Sequence, residues 1–326
     1  MTPQEYIEQK LAELKMPLDL PKPADDEQLV ETIYKFIMSK KFRKYSVTPA
    51  LDTHIRGAIK LAIENKQSIN FTYLHGAYKL WRLDEAPEPD WAELFSALYY
   101  SNWVKPICEI YEPGVWFDYF VDDLIVPKID NIDLTDVEKY LEIYQGIFDY
   151  LKPYQPTNLK MTYTRVGDQF ESPVAFDASL EKNVETMRKK LPGGLPILDD
   201  AKRAMVELNA KPTDEQLKDP KWREKVALIH DAYMNTKAEP GYHNQPTKIK
   251  VFNQPLPSGM VIALGTTKDS IAKFWVGVGA LKPKDDSFRQ IILSPSQLGK
   301  AEFDWADLDI GLTGKNFNKI RVLHSS

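Results

Sequence analysis

Residues Ile69-Asn70-Phe71-Thr72-Tyr73-Leu74, closing on His75-Gly76, decide how this chain reads. The run is rich in β-branched and aromatic side chains and stops at a glycine, which is strand composition bounded by a turn signal. Two runs of the same kind follow, Val115-Trp116-Phe117-Asp118-Tyr119-Phe120-Val121 and Leu159-Lys160-Met161-Thr162-Tyr163-Thr164. Helical stretches separate them. A loop carrying Pro87 and Pro89 opens onto a helix expected from Asp90 to Glu109, and Asp133 to Tyr150 puts Val137, Tyr140, Leu141 and Tyr144 on one face. Strand, helix, strand, helix, strand reads as a mostly parallel sheet with right-handed crossovers.

Working outward, residues 1–66 read as a helical region. Thr2-Pro3 and Thr48-Pro49 look like helix starts, because Thr caps and Pro suits the first turn. Tyr6, Ile7, Leu11 and Leu14 mark one apolar face, and Leu29, Ile33, Phe36 and Ile37 mark another. Residues 67–245 read as the α/β core, mostly helical and charged from 176 to 238. From 246 the composition turns to β, with Ile249–Phe252, Met260–Leu264, Phe274–Val278 and Gln290–Leu293 as short strands that complete the same domain. The expected fold is α/β, Rossmann-like, with a helical N-terminal region and a β-rich C-terminal part.

Composition narrows the function. With 326 residues, 43% hydrophobic and 27% charged, the chain is large enough to bury a core without a disulfide or metal. A net charge of −5 argues against a nucleic-acid coat, and the lone Cys108 against a disulfide framework or multi-cysteine zinc site. No apolar stretch reaches the roughly 18 residues that span a bilayer, and the polar, acidic start is not that of a signal peptide. A cytoplasmic protein acting on small molecules, without nucleic-acid or membrane partners, is the expectation.

The chemistry is expected at the carboxyl ends of the strands, where open parallel sheets bind ligands. His75, Lys79, Arg82 and Asp90 follow the first strand. Two cations converging there suit a phosphate or carboxylate, and a desolvated lysine can attack a carbonyl; ordinary surface cations on a solvated loop are the alternative. Asp122 and Asp123 end the second strand, in position for proton transfer, for a divalent ion, or simply to cap a turn. Strand alternation places Asp118 and Asp122 on one face and Asp123 on the other. Gly265-Thr266-Thr267-Lys268, with Lys273 and Trp275 just beyond, has anion-binding composition but not the P-loop spacing. No HExxH, GxSxG or GxGxxG occurs, so a zinc protease, a hydrolase elbow and a dinucleotide fingerprint are unsupported. Neither a metal nor a cofactor is expected.

Residues 79 to 140 resemble the isocyanide (isonitrile) synthases, also called pyoverdine/dityrosine biosynthesis proteins. The resemblance rests on Lys79, Pro89-Asp90-Trp91-Ala92-Glu93, Tyr111-Glu112-Pro113-Gly114, Asp122, and a helix with Asp136-Val137 and Tyr140. Phe274-Trp275-Val276-Gly277 looks like the family's Pro-Trp-His-Gly segment, with Val276 standing where the family has histidine. The resemblance covers about a fifth of the chain, in short motifs, and the family's Arg-Leu-Ser-Ile-His stretch has no clear counterpart. It implies a Rossmann-like enzyme that joins an amino acid's amino group to the ketone of ribulose 5-phosphate and then cleaves and eliminates to an isocyanide. Lys79, His75 and Asp122 would then be catalytic, and Arg82, Asp90, Trp275, Lys268 and Lys273 would bind substrate. Two readings compete: a metal-dependent transferase using a phosphate- or nucleotide-linked donor held through Asp122 and Asp123, and a non-catalytic binding protein on the same fold.

Overall fold

In a computed structural model of the chain, the residues described are 1–43, 45–75, 83–129, 132–190, 213–256, 258–265, 274–275 and 277–324. Strands β1 (Ile69–His75), β2 (Val115–Val121), β3 (Leu159–Arg165), β4 (Lys248–Phe252) and β5 (Ile262–Ala263) form one sheet in the order β3-β2-β1-β4-β5, parallel throughout. The three strands anticipated from the sequence are therefore neighbours in one sheet, in register through Phe71, Phe117 and Met161. The strand order reverses between β1 and β4, which makes the carboxyl ends of those two strands the natural crevice.

Helices α1 (Pro3–Lys15), α2 (Asp26–Ile37) and α3 (Pro49–Glu64) make up the N-terminal region. The start of α1 is a capping box: Thr2 Oγ1 accepts from the Glu5 amide at 3.2 Å and Glu5 Oε2 accepts from the Thr2 amide at 2.7 Å. The helix buries Tyr6, Ile7, Leu11 and Leu14, the face its spacing marks. Thr48 caps α3 with Pro49 in its first turn. Helix α4 (Trp91–Ile110) crosses from β1 to β2, and α5 (Val126–Ile129) with α6 (Leu134–Leu151) leads from β2 to β3. After β3 come α7 (Pro173–Lys190), α8 (Asp214–Lys218) and α9 (Pro220–Ala238).

The two faces of the sheet differ. Phe71, Tyr73, Phe117 and Tyr119 point at α4 and α6, where Phe71 meets Trp103 at 4.9 Å, Tyr100 stacks on Phe117 at 4.9 Å and Tyr119 stacks on Phe148 at 5.2 Å. Each such ring contributes about 2–3 kcal/mol through burial, and well-placed pairs add about 1 kcal/mol. The opposite face carries Asn70, Thr72, Trp116, Asp118, Thr162 and Lys248, an unusual set for a parallel sheet, which ordinarily buries apolar residues on both sides.

The β-rich tail divides. β4 and β5 extend the main sheet, while β6 (Val278–Lys284), β7 (Ser287–Leu293), β8 (Phe303–Asp307) and β9 (Lys319–Leu323) form a second sheet in the order β7-β6-β9-β8, with the short α10 (Pro295–Leu298) after β7. The strand expected over Phe274–Val278 is corrected: pairing begins at Val278. Consecutive strand residues point to opposite faces, whereas the Phe274 and Trp275 rings both turn onto Tyr73 and His75. The strand expected over Met260–Leu264 shrinks to Ile262–Ala263. The second sheet is pinned to the start of α4 through Gly279, whose amide donates to Asp90 Oδ2 at 3.2 Å. A Cβ at Gly279 would lie 2.5 Å from the Ala92 nitrogen, so glycine is what allows this approach.

Candidate active site

His75 closes β1 and is fully buried. Its ring stacks on Phe274 at 5.1 Å and on Tyr140 at 6.3 Å, with Tyr144 at 5.9 Å and Trp275 edge-on at 6.0 Å. Burial, reinforced by the nearby Lys237 ammonium, pushes the imidazole down to about 3, so it is neutral at any physiological pH. Trp275, 6% exposed, also stacks on Phe252 at the end of β4 at 6.2 Å. His75 and Trp275, far apart in sequence, thus meet over the ends of β1 and β4.

Asp122 follows β2 directly, and its amide donates to the His75 carbonyl at 3.2 Å. Its Oδ1 accepts from the Tyr233 hydroxyl and from the Lys237 ammonium, and all three side chains are buried. Tyr233 and Lys237 are one turn apart on α9, so a single helix face delivers both. Asp123 points the other way, as strand alternation requires. It accepts from Arg165 Nε at 2.8 Å and from the Gly167 amide at 2.9 Å, while Arg165 also grips Glu138 with two nitrogens. Asp123 thereby closes the turn after β3.

Asp90 caps α4: Oδ1 accepts from the Ala92 amide at 2.8 Å and Oδ2 from Gly279. Glu93 Oε2 completes the box by accepting from the Asp90 amide, and its Oε1 accepts from the Tyr140 hydroxyl at 3.1 Å. Since Tyr140 also stacks on His75, the α4 N-terminus is linked to the crevice by one side chain. The Tyr111-Glu112-Pro113-Gly114 motif makes a tight turn into β2, closed by the Gly114 amide on the Tyr111 carbonyl at 2.9 Å; Gly114 has φ +66°, which favours glycine. Among the described residues, no group of three or more His, Cys, Asp or Glu is placed to hold a metal ion.

Of the residues marked in the sequence, His75 and Trp275 come together over the strand ends; Asp122 stands beside His75 in the backbone with its side chain toward the opposite face, and Asp90 is one helix terminus away. Lys79, Arg82, Lys268, Lys273 and Val276 lie outside the described residues. Nothing local in the sequence marks Lys237 or Tyr233 as site residues. The i,i+4 spacing of Tyr233 and Lys237 in a charged helix was the available signal, but it does not say which strand that helix packs against.

No family model and no curated protein matches the sequence. The fold does have a match: the crystal structure of the PvcA protein from Pseudomonas aeruginosa aligns with a TM-score of 0.67 over 91% of this chain and 100% of that one, at 14% identity. In fold, this chain is similar to PvcA. At that identity the likeness to PvcA is one of architecture. Among the described residues no helix is long and apolar enough to cross a membrane.

Proposed function

We propose that this chain is a biosynthetic enzyme of the isocyanide synthase type, condensing an amino acid's amino group with the ketone of ribulose 5-phosphate. The observation that carries the reading is the agreement of two independent features. PvcA, a protein of the isocyanide synthase family, shares the fold across 91% of the chain, and the ordered run Lys79, Pro89-Asp90, Tyr111-x-Pro113-Gly114, Asp122 follows the family's pattern.

In this reading the amine adds to the ketone and water leaves as the imine forms, steps that need one group to take a proton and another to supply it. His75, held neutral by burial, is too weak a base for the first task and lines the crevice instead, leaving proton uptake to Asp122. The buried Asp122–Lys237–Tyr233 cluster suits the second, because Lys237 and Tyr233 both carry protons on one shared carboxylate oxygen. Lys79 and Arg82, which follow His75 in the chain, hold the phosphate or form the first carbonyl adduct; Lys268 and Lys273 add anion contacts, and Trp275 packs on the substrate. The aromatic surroundings of His75 favour an amino acid with an apolar or planar side chain.

Thermal denaturation with a panel of amino acids and with ribulose 5-phosphate tests this. A ligand at a hundred times its Kd stabilises the fold by about 2.7 kcal/mol, a shift of several degrees. Ribulose 5-phosphate should stabilise the wild type and not Lys79→Ala, whose unliganded stability should stay within about 0.5 kcal/mol. No stabilisation by any pentose phosphate or amino acid would remove the proposal.

A further inference from the structure

The face of the main sheet turned away from α4 and α6 holds a second polar cluster, which adjoins the Asp122–Lys237 pair through the Phe120 ring. Asn70 of β1 lies directly beside Lys248 of β4, and two residues further along Thr72 lies between Asp118 of β2 and Lys250 of β4. In-register side chains on neighbouring strands stand about 5 Å apart, so these five share one patch. Asn70, Thr72, Asp118 and Lys248 are all at least nine-tenths buried. Lys248 Nζ, Thr72 Oγ1 and Asn70 Oδ1 nevertheless have no hydrogen-bond partner. Buried polar atoms are almost always paired, and an unpaired one is costly; three side by side, one of them an ammonium, ask for an explanation.

The charges in the patch do not balance. Asp118 is its carboxylate, and that group is already engaged by Thr162 at 2.7 Å, Thr164 at 3.0 Å and the Tyr242 hydroxyl at 3.0 Å. Against it stand the Lys248 and Lys250 ammoniums, Lys250 donating to Asn244 Oδ1 at 3.1 Å; the neutral His243 ring beside them has an Nδ1 that is also buried without a partner. Lys237, close by, is paired with Asp122. The Lys248 ammonium sits over the Tyr242 ring, 2.9 Å from its centroid, a contact that leaves its other N–H groups free to donate. Burial holds Lys248 down to about 8 and keeps Lys250 below its ordinary value. His243 is held down to about 4 by burial and the three lysines. Trp116, Tyr242 and Lys250 at the margin are only partly buried, which gives the patch a way to solvent.

We infer that this patch is a binding site for a phosphate group, with Lys248 and Lys250 as its cations, Thr72 as a hydroxyl donor and Asn70 Oδ1 accepting the proton of a monoprotonated phosphate. The acceptor is the selective element. Inorganic phosphate keeps at least one proton at neutral pH and a monoester, with its second ionisation near 6, keeps one in part at pH 6.5, whereas sulfate has none to give. The phosphate is either the free ion or the end of a phosphate monoester whose carbon chain leaves past Trp116.

Isothermal titration calorimetry of the whole chain at pH 6.5 with inorganic phosphate, sulfate and glycerol 3-phosphate tests this. The proposal expects phosphate to bind the wild type and Lys79→Ala alike, with sulfate at least about tenfold weaker, and Lys248→Met to weaken phosphate by about tenfold or more. Glycerol 3-phosphate binding that Lys248→Met also removes points to a monoester; loss of inorganic phosphate alone points to the free ion. Phosphate binding lost in Lys79→Ala but kept in Lys248→Met would put the anion in the crevice and overturn the inference, as would no binding to the wild type. Should Lys248→Met fail to fold, Thr72→Val and Lys250→Met carry the same expectation, and unchanged binding in both would overturn it.

Discussion

His75 makes the folded state sensitive to acid in a calculable way. In the unfolded chain the imidazole titrates at its ordinary 6.5; in the folded chain burial and Lys237 push it down to about 3. The native state therefore refuses a proton that the unfolded state accepts, so the penalty is absent above about pH 7 and grows as pH falls from 6.5 towards 3. Linkage puts the cost at about 1 kcal/mol between pH 6 and pH 5, and about 2.5 kcal/mol between pH 6 and pH 4. Out of a total stability of about 5–15 kcal/mol, this is readily measured. Carboxylates and His243 titrate over the same range, so the useful quantity is a difference. His75→Phe keeps a ring against Tyr140 and Phe274 and cannot titrate. Urea unfolding followed by tryptophan fluorescence at pH 7, 6 and 5 should show the wild type losing about 1 kcal/mol more than His75→Phe between pH 6 and 5. Equal slopes would mean that His75 accepts a proton in the fold, and the aromatic enclosure described here would be wrong.

Other outcomes follow from the packing. Cys108 is 7% exposed and burial pushes its thiol up to about 12, so a thiol-reactive probe should label it only in denaturant; rapid labelling of the native protein would contradict its placement. Gly279→Ala should cost about 1–3 kcal/mol in urea unfolding, because its methyl would meet the start of α4; a neutral effect would show that the second sheet does not approach α4 as described. Lys237→Met leaves the Asp122 carboxylate buried without its cation and should cost about 3–5 kcal/mol, of which the double variant Lys237→Met/Asp122→Leu should regain a large part. If the double variant is no more stable than the single one, the pair is not the buried contact described.

Much of this fold can be read from one dimension because its signals are local. The three strands 69–75, 115–121 and 159–165 declare themselves by β-branched and aromatic runs, and the helices by Thr-Pro starts and apolar spacing. Phe274 and Trp275 mislead because an apolar run reads as strand whether its rings alternate or, as here, turn together onto the end of β1. β8 and β9 escape notice because Asp304, Asp307, Lys319 and Arg321 give them a charged, edge-like composition. At the candidate site, His75 and Asp122 are legible because a strand's carboxyl end is a positional rule. Lys237 and Tyr233 are not, since their meeting with Asp122 depends on how a helix more than 110 residues later docks against β2. The polar face under Tyr242 is hidden for a related reason: Asn70, Asp118 and Lys248 become one patch only through the register of three strands.

The central claim is the reaction, and its product reports on it most directly. The purified chain, incubated with ribulose 5-phosphate and each amino acid in turn, should yield an isocyanide with at least one of them, detected by mass spectrometry after trapping with a tetrazine. Formation should require both substrates and should disappear in Lys79→Ala. Absence of a trapped isocyanide across the whole amino-acid panel, from protein shown to be folded, would contradict the account.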